Sequence, residues 1–151
     1  MIKKILLLLA FTTYLLANSF NVNDTIATFS LPDQFEKIHT INGETKTLIV
    51  SFEKGTGALI SDFLIANKPE FLEEHHAAYI ANISKMPWLL SKIFALPKMQ
   101  SYKHKILLIN DENDQRFVAK EGKSTVYKLD NGVVKKVYFI SSKEELAKAF
   151  E

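Results

Sequence analysis

The chain contains no cysteine. That single absence excludes disulfides, thiolate nucleophiles, thiolate metal ligands and a lipid anchored through cysteine. Arginine is almost missing as well, with Arg116 alone, so bidentate clamps on phosphate or carboxylate have one donor at most. Glycine and proline are sparse, at 5 and 4 residues, and no low-complexity segment or internal repeat is visible. No apolar run reaches the ~20 residues that span a bilayer as a helix.

What is present begins with a leader. Lys3-Lys4 form a basic start, Ile5 to Leu16 an apolar stretch broken only by Thr12-Thr13, and Ala17-Asn18-Ser19 a small-residue cleavage site. This is the layout of a secretory signal peptide over residues 1–19, with cleavage after Ala17 or Ser19; an uncleaved membrane anchor is the alternative. The expected destination is the periplasm, with no stable membrane insertion after cleavage. Residues 20–151 then form one domain, long enough to bury its own core. Removing Lys3 and Lys4 from the 19 basic residues leaves them equal to the 17 acidic ones. A nucleic-acid partner is therefore excluded, because no basic excess survives.

The pattern beyond the leader alternates strands and helices. Phe20 to Asp24 reads as a flexible lead-in and Thr25 to Leu31 as a strand. Pro32-Asp33 is a break, Gln34 to Asn42 alternates again with Phe35, Ile38 and Ile41 apolar, and Asn42-Gly43 carries a hairpin-turn signal. Thr47 to Phe52 is apolar on both faces, as in a central strand. Glu53 to Gly57 reads as a loop, followed by a helix from Ala58 to Asn67 with Leu59, Ile60, Phe63 and Leu64 on one stripe. His76 to Ile83 is a second central strand. Ser84 to Tyr102 is helical, with Ser84 as cap, Pro87 in the first turn and a kink at Pro97. Lys105 to Asn110 is a third strand. Gln115 to Lys123 has the weakest period, and a short helix is the expectation there. Ser124 to Leu129 and Val133 to Ile140 flank Asp130-Asn131-Gly132, the clearest hairpin in the chain. Ser142 and Glu145 form a capping box for a last helix. The fold class is α/β, a mixed central sheet flanked by helices in three layers, closed by a hairpin and a helix.

These residues resemble the thioredoxin superfamily, and within it the peroxiredoxin branch (the alkyl hydroperoxide reductase and thiol-specific antioxidant type). The resemblance runs from Ala27 to Glu151 and rests on Phe29-Ser30-Leu31-Pro32-Asp33-Gln34, on His39-Thr40 ahead of the buried strand, on Ile83-Ser84 before a long helix, and on the hairpin with its helix. In that branch a Thr-x-x-Cys sets a peroxidatic thiolate at the start of the helix after the central strand. The matching residues are Thr56-Gly57-Ala58-Leu59, so Leu59 stands where the thiolate would. The cis-proline that such folds carry matches Ser124, and a trans bond is expected there. The resemblance thus implies a degenerate active-site loop of Gly55, Thr56, Gly57, Leu59 and Ser124, without peroxidase or disulfide chemistry. Short exported relatives labelled as flavin-containing dehydrogenases suggest a cofactor-binding redox protein as an alternative, although no Gly-x-Gly-x-x-Gly is present.

Loops at the ends of the parallel strands should meet on one surface. Glu53, Lys54, Ser84, Met86, Trp88 and Thr125 are the expected surface for a ligand or partner, weighed against ordinary core packing of Trp88. Gly55-Thr56-Gly57 offers exposed amides to an anion or is simply a tight turn. His75 and His76 are weak metal candidates, because neighbours on a strand point to opposite faces. Lys98, Lys103, His104 and Lys105 read as a small solvated basic patch beside Tyr102, with anionic lipid headgroups the weaker alternative. The expectation is a non-catalytic exported module, without a cofactor, that binds an envelope protein or peptide.

Overall fold

A computed structural model describes residues 19–151. Residues 1–18, all of the expected 1–19 leader but its last residue, lie outside the described residues. Seven strands and five α-helical segments follow one another: β1 (Phe29–Pro32), β2 (Ile38–Ile41), β3 (Thr47–Ser51), α1 (Lys54–Ile65), α2 (Phe71–Glu74), β4 (Ala77–Asn82), α3 (Trp88–Leu90), α4 (Leu96–Gln100), β5 (Leu107–Ile109), β6 (Ser124–Asp130), β7 (Val133–Ile140) and α5 (Lys143–Lys148). A π-helical turn, Ser91–Ala95, joins α3 to α4.

The main sheet has the order β5-β4-β3-β6-β7. β4 runs parallel to both β3 and β5, while β6 is antiparallel to β3 and β7. This is the mixed α/β sheet expected from the sequence. β3 sits centrally and all five of its residues are buried, which is why Thr47 to Ser51 is apolar on both faces.

The two faces are covered differently. One carries Ile49, Ile60, Leu64, Tyr79, Leu108, Val126 and Leu146, so α1 and α5 pack there. The other carries Leu31, Ile41, Leu48, Val50, Ile80, Phe117 and Val134, covered by the β1–β2 hairpin and the irregular segment before β6. No helix forms between Gln115 and Lys123, against expectation. Phe117 is buried there instead, with its ring 5.5–6.0 Å from those of Phe20, Phe29 and Tyr127. Aromatic anchoring replaces a helical layer.

The N-terminal segment is pinned rather than flexible. Asn23 N–H donates to the Val134 carbonyl at 2.8 Å, Val134 N–H to the Asp24 carbonyl at 2.9 Å, and Ile26 N–H to the Gly132 carbonyl at 2.7 Å. These bonds cover the first residues of the β7 edge, which would otherwise present unpaired amides there.

The first hairpin also differs from expectation. β1 pairs antiparallel with β2 through a turn at 33–37, where Asp33 N–H donates to the Lys37 carbonyl and Glu36 takes φ 65°. Asn42-Gly43 instead turns the chain from β2 toward β3, with Asn42 Oδ1 accepting from Glu44 N–H at 2.9 Å. The closing hairpin is as read: Asn131 and Gly132 both have positive φ, 47° and 80°, the requirement of a type I′ turn.

Candidate functional site

The site lies where the first turn of α1 meets the connection after β4. The Glu53–Gly57 segment is not a free loop. Glu53 is the N-cap, α1 starts at Lys54, and Gly57 N–H donates to the Glu53 carbonyl at 2.9 Å. Of the amides of Gly55-Thr56-Gly57, that of Gly57 is therefore already paired within the helix. The Glu53 carboxylate makes no cap and instead accepts Gly122 N–H at 2.9 Å, tying the loop before β6 to the helix start.

After β4, Asn82 Oδ1 accepts both Ser84 N–H at 3.1 Å and Ser84 Oγ at 2.6 Å. This side-chain turn sends the chain outward to Pro87, which takes the N-cap position expected of Ser84. The helix that follows cannot stay regular. Pro97 has no N–H to give and its ring crowds the preceding turn. The π turn immediately before it relieves both constraints.

Between α1 and this irregular helix opens a cleft of about 550 Å³, within the size range of ligand sites. Phe52, Ile83, Met86, Leu90, Phe94 and Met99 form its apolar walls, and Lys54, Lys85 and Lys98 stand among the lining residues. The floor is polar. Ser51 Oγ and Tyr79 OH lie 3.0 Å apart, and Ser61 Oγ, also in the lining, lies 3.3 Å from Nε2 of the buried His104 behind it. Burial pushes the Tyr79 hydroxyl up to about 12 and the His104 imidazole down to about 4. Both groups are therefore neutral at physiological pH, so the floor hydroxyls and the imidazole behind them are uncharged dipoles.

Of the residues expected at the site, Glu53, Lys54, Gly57 and Met86 line the cleft. Gly55 and Thr56 sit in the first turn of α1, where Thr56 Oγ1 donates to the Glu53 carbonyl at 3.0 Å. Leu59 packs against the core, so the side chain at the thiolate position belongs to the core packing. Ser84 is held in the turn. Ser124 and Thr125 are buried in β6, at 2% and 0% exposure, with Thr125 Oγ1 donating to the Val118 carbonyl at 2.5 Å; Thr125 is thus off the surface where it was expected. The bond before Ser124 is trans, as are all peptide bonds among the described residues. Trp88 is 68% exposed, which removes core packing as its explanation.

His75 and His76 do not converge. The His75 ring bonds the Phe71 carbonyl through Nδ1 at 2.7 Å and packs on Phe71 and Phe150, while His76 occupies a positive-φ position. Among the described residues no three acidic or imidazole groups gather in a metal-binding arrangement. Arg116 pairs with Asp114 and stacks on Phe29, apart from the residues of the cleft.

Two residues of the site, and one behind it, escaped sequence reading. Tyr79 and Ser61 look like ordinary members of a strand and a helix. His104 lies between two lysines and reads as solvated, yet it is 3% exposed and stacks on Tyr102 at 5.0 Å. Gln34 holds it in place from below. Its Nε2 donates to the His104 carbonyl at 2.8 Å, and its Oε1 accepts Ile106 N–H at 2.9 Å.

Neither any protein family nor any curated protein matches the sequence. Solved structures do match the fold. The peroxidoxin BcpB of Mycobacterium tuberculosis superposes with a TM-score of 0.55 at 18% identity, over 87% of this chain and 94% of that one. A SCO1/SenC family lipoprotein from Bacillus anthracis gives 0.53 at 13% identity, over 85% and 94%. The thioredoxin domain of a thiol-disulfide oxidoreductase from Bacteroides vulgatus gives 0.53 at 10%, over 88% and 100%. The fold is thioredoxin-like. The resemblance drawn from the residues is thus shown at the level of fold, and this thioredoxin-like chain carries it without a single cysteine. The cleft sits where its first helix begins.

Proposed function

We propose that the chain is an exported, non-catalytic thioredoxin-like module that binds a protein or peptide of the cell envelope in the cleft beside α1. The observation that carries this reading is the cleft itself. It is large and apolar, and its lip leaves Leu90 at 47% and Phe94 at 67% exposure. Exposed apolar surface of this kind marks a docking site. An extended apolar segment would cover these side chains and set a polar group against the Ser51–Tyr79 pair. The leader over residues 1–19 supports export, and the SCO1/SenC lipoprotein among the structural neighbours agrees with an envelope setting.

Thiol chemistry has no place in this reading, because the chain has no sulfur nucleophile. The test is a displayed library of random peptides panned against the purified protein. Selected peptides should share an apolar core, and the double variant Leu90→Ser/Phe94→Ser should lose them while keeping its fold. Peptides that bind both proteins equally would defeat the reading, and so would peroxide turnover by the purified chain.

A further inference from the structure

The helix that walls the cleft has a second apolar side. Leu90 and Phe94 line the cleft, whereas Trp88, Leu89 and Ile93 lie outside its lining and are 68%, 57% and 53% exposed. A peptide filling the cleft leaves these three uncovered. Leu89 and Ile93 are four residues apart, hence neighbours on the helix surface, with Trp88 beside them at the helix start. Their charged surroundings have one sign. Between Glu74 and Asp111 the chain has five lysines and no acidic residue, although the domain as a whole is neutral. Lys103 and Lys105 share a separate cavity with Glu44, Glu70 and Glu73. Lys85, Lys92 and Lys98 have no such balance. The one acid near them in the cleft, Glu53, is bonded to Gly122 N–H, and among the described residues no lysine is in a salt bridge. Lys92 Nζ lies 5.6 Å from the Trp88 ring centroid.

We infer that the outward side of residues 88–94 docks on an anionic phospholipid bilayer, with Trp88, Leu89 and Ile93 entering the headgroup boundary, Lys92 meeting lipid phosphates, and Lys85 and Lys98, which also line the cleft, adding positive charge beside it. An apolar side flanked by lysines, with an indole at its end, is the pattern of interfacial rather than spanning helices. Among the described residues no helix is long and apolar enough to cross a membrane, so the contact is peripheral. A second copy of the chain is disfavoured, because a two-fold contact would set these lysines against their own equivalents. Negative lipid supplies the complementary charge. Trp88, Leu89, Lys92 and Ile93 all lie outside the cleft lining, on the adjoining strip of the helix, so either reading can fail while the other holds.

Trp88 is the only tryptophan in the chain, so its emission reports this helix whatever the N-terminus contributes. The experiment titrates the full protein, as isolated from exporting cells, with vesicles of phosphatidylglycerol in phosphatidylcholine and with vesicles of phosphatidylcholine alone. The expected result is a blue shift with the anionic vesicles only, quenched by lipids brominated in the acyl chain and reversed by salt. Changing Lys92 to Gln should lower partitioning about fivefold, with unchanged thermal unfolding in the absence of lipid. Emission unaffected by anionic vesicles would overturn the inference. A blue shift that grows with protein concentration without lipid would overturn it too, in favour of self-association.

Discussion

A Cβ added at position 57 would lie 3.1 Å from the Tyr79 hydroxyl and 3.4 Å from Ser51 Oγ. The first turn of α1 therefore rests directly on the hydroxyl pair that floors the cleft. Tyr79 is fully buried and bonded to Ser51, so it has little room to yield. Gly57→Ala should cost about 1–2 kcal/mol through overpacking. Gly55, one half-turn earlier, has nothing within 4 Å of its added Cβ. Gly55→Ala should gain about 0.5–1 kcal/mol from lower unfolded-state entropy and better helix propensity. Urea unfolding of the two variants should give shifts of opposite sign.

His104 makes stability depend on pH. Its imidazole falls from 6.5 to about 4 because burial disfavours the charged form. Below pH 6.5 the unfolded chain binds a proton that the folded chain refuses, so stability drops as pH falls from 6.5 toward 4. Above 6.5 both states are neutral and the contribution is complete. His104→Gln should flatten the thermal unfolding midpoint across that window. A wild-type midpoint unchanged between pH 7 and 4 would contradict the burial of this ring.

Asp33 acts in a lower window. Burial alone would raise its carboxyl, but the His39 ring at 2.7 Å and the Phe35 and Lys37 N–H groups outweigh that and hold it below its ordinary 3.8. Its contribution is complete above that value and is lost as pH falls through the lowered one. His39→Ala should therefore weaken the first hairpin at neutral pH and shrink the acid-side loss, read by amide exchange in β1 and β2.

Gln34 joins the first hairpin to the segment that carries His104. Gln34→Ala strips partners from the His104 carbonyl and the Ile106 N–H, both in buried residues. The expected cost is about 2–4 kcal/mol, measured by chemical denaturation, with local opening near Met99 and Ile106 seen first in hydrogen exchange.

Legibility in the sequence followed the range of the interaction. β3, the parallel strand β4 and the hairpin at Asn131-Gly132 are written in local pattern and were readable. The start of α1 was not, because Gly55 and Gly57 look like loop residues; the helix runs through them since Gly57 alone permits the approach to Tyr79. The break at Pro32-Asp33 was legible but not its closing of the hairpin, because Asn42-Gly43 carries the stronger turn signal and the Asp33 turn is made by its carboxylate accepting Phe35 and Lys37 N–H. His104 carries no local sign of burial between Lys103 and Lys105, and its environment comes from Ser61 and Gln34, distant in sequence. The apolar run at Trp88 was plain, but a run of that kind reads the same whether it faces a core or solvent.

The central claim, a cleft that binds an envelope partner, is tested most directly by photocrosslinking in the exporting cell. A benzophenone side chain placed at Phe94, at the cleft lip, should yield one discrete adduct. The same group at Lys135, exposed on β7, should yield none. Adduct formation at position 94 should vanish when Leu90 is changed to Ser. No adduct at position 94, or equal adducts at 94 and 135, would contradict the account.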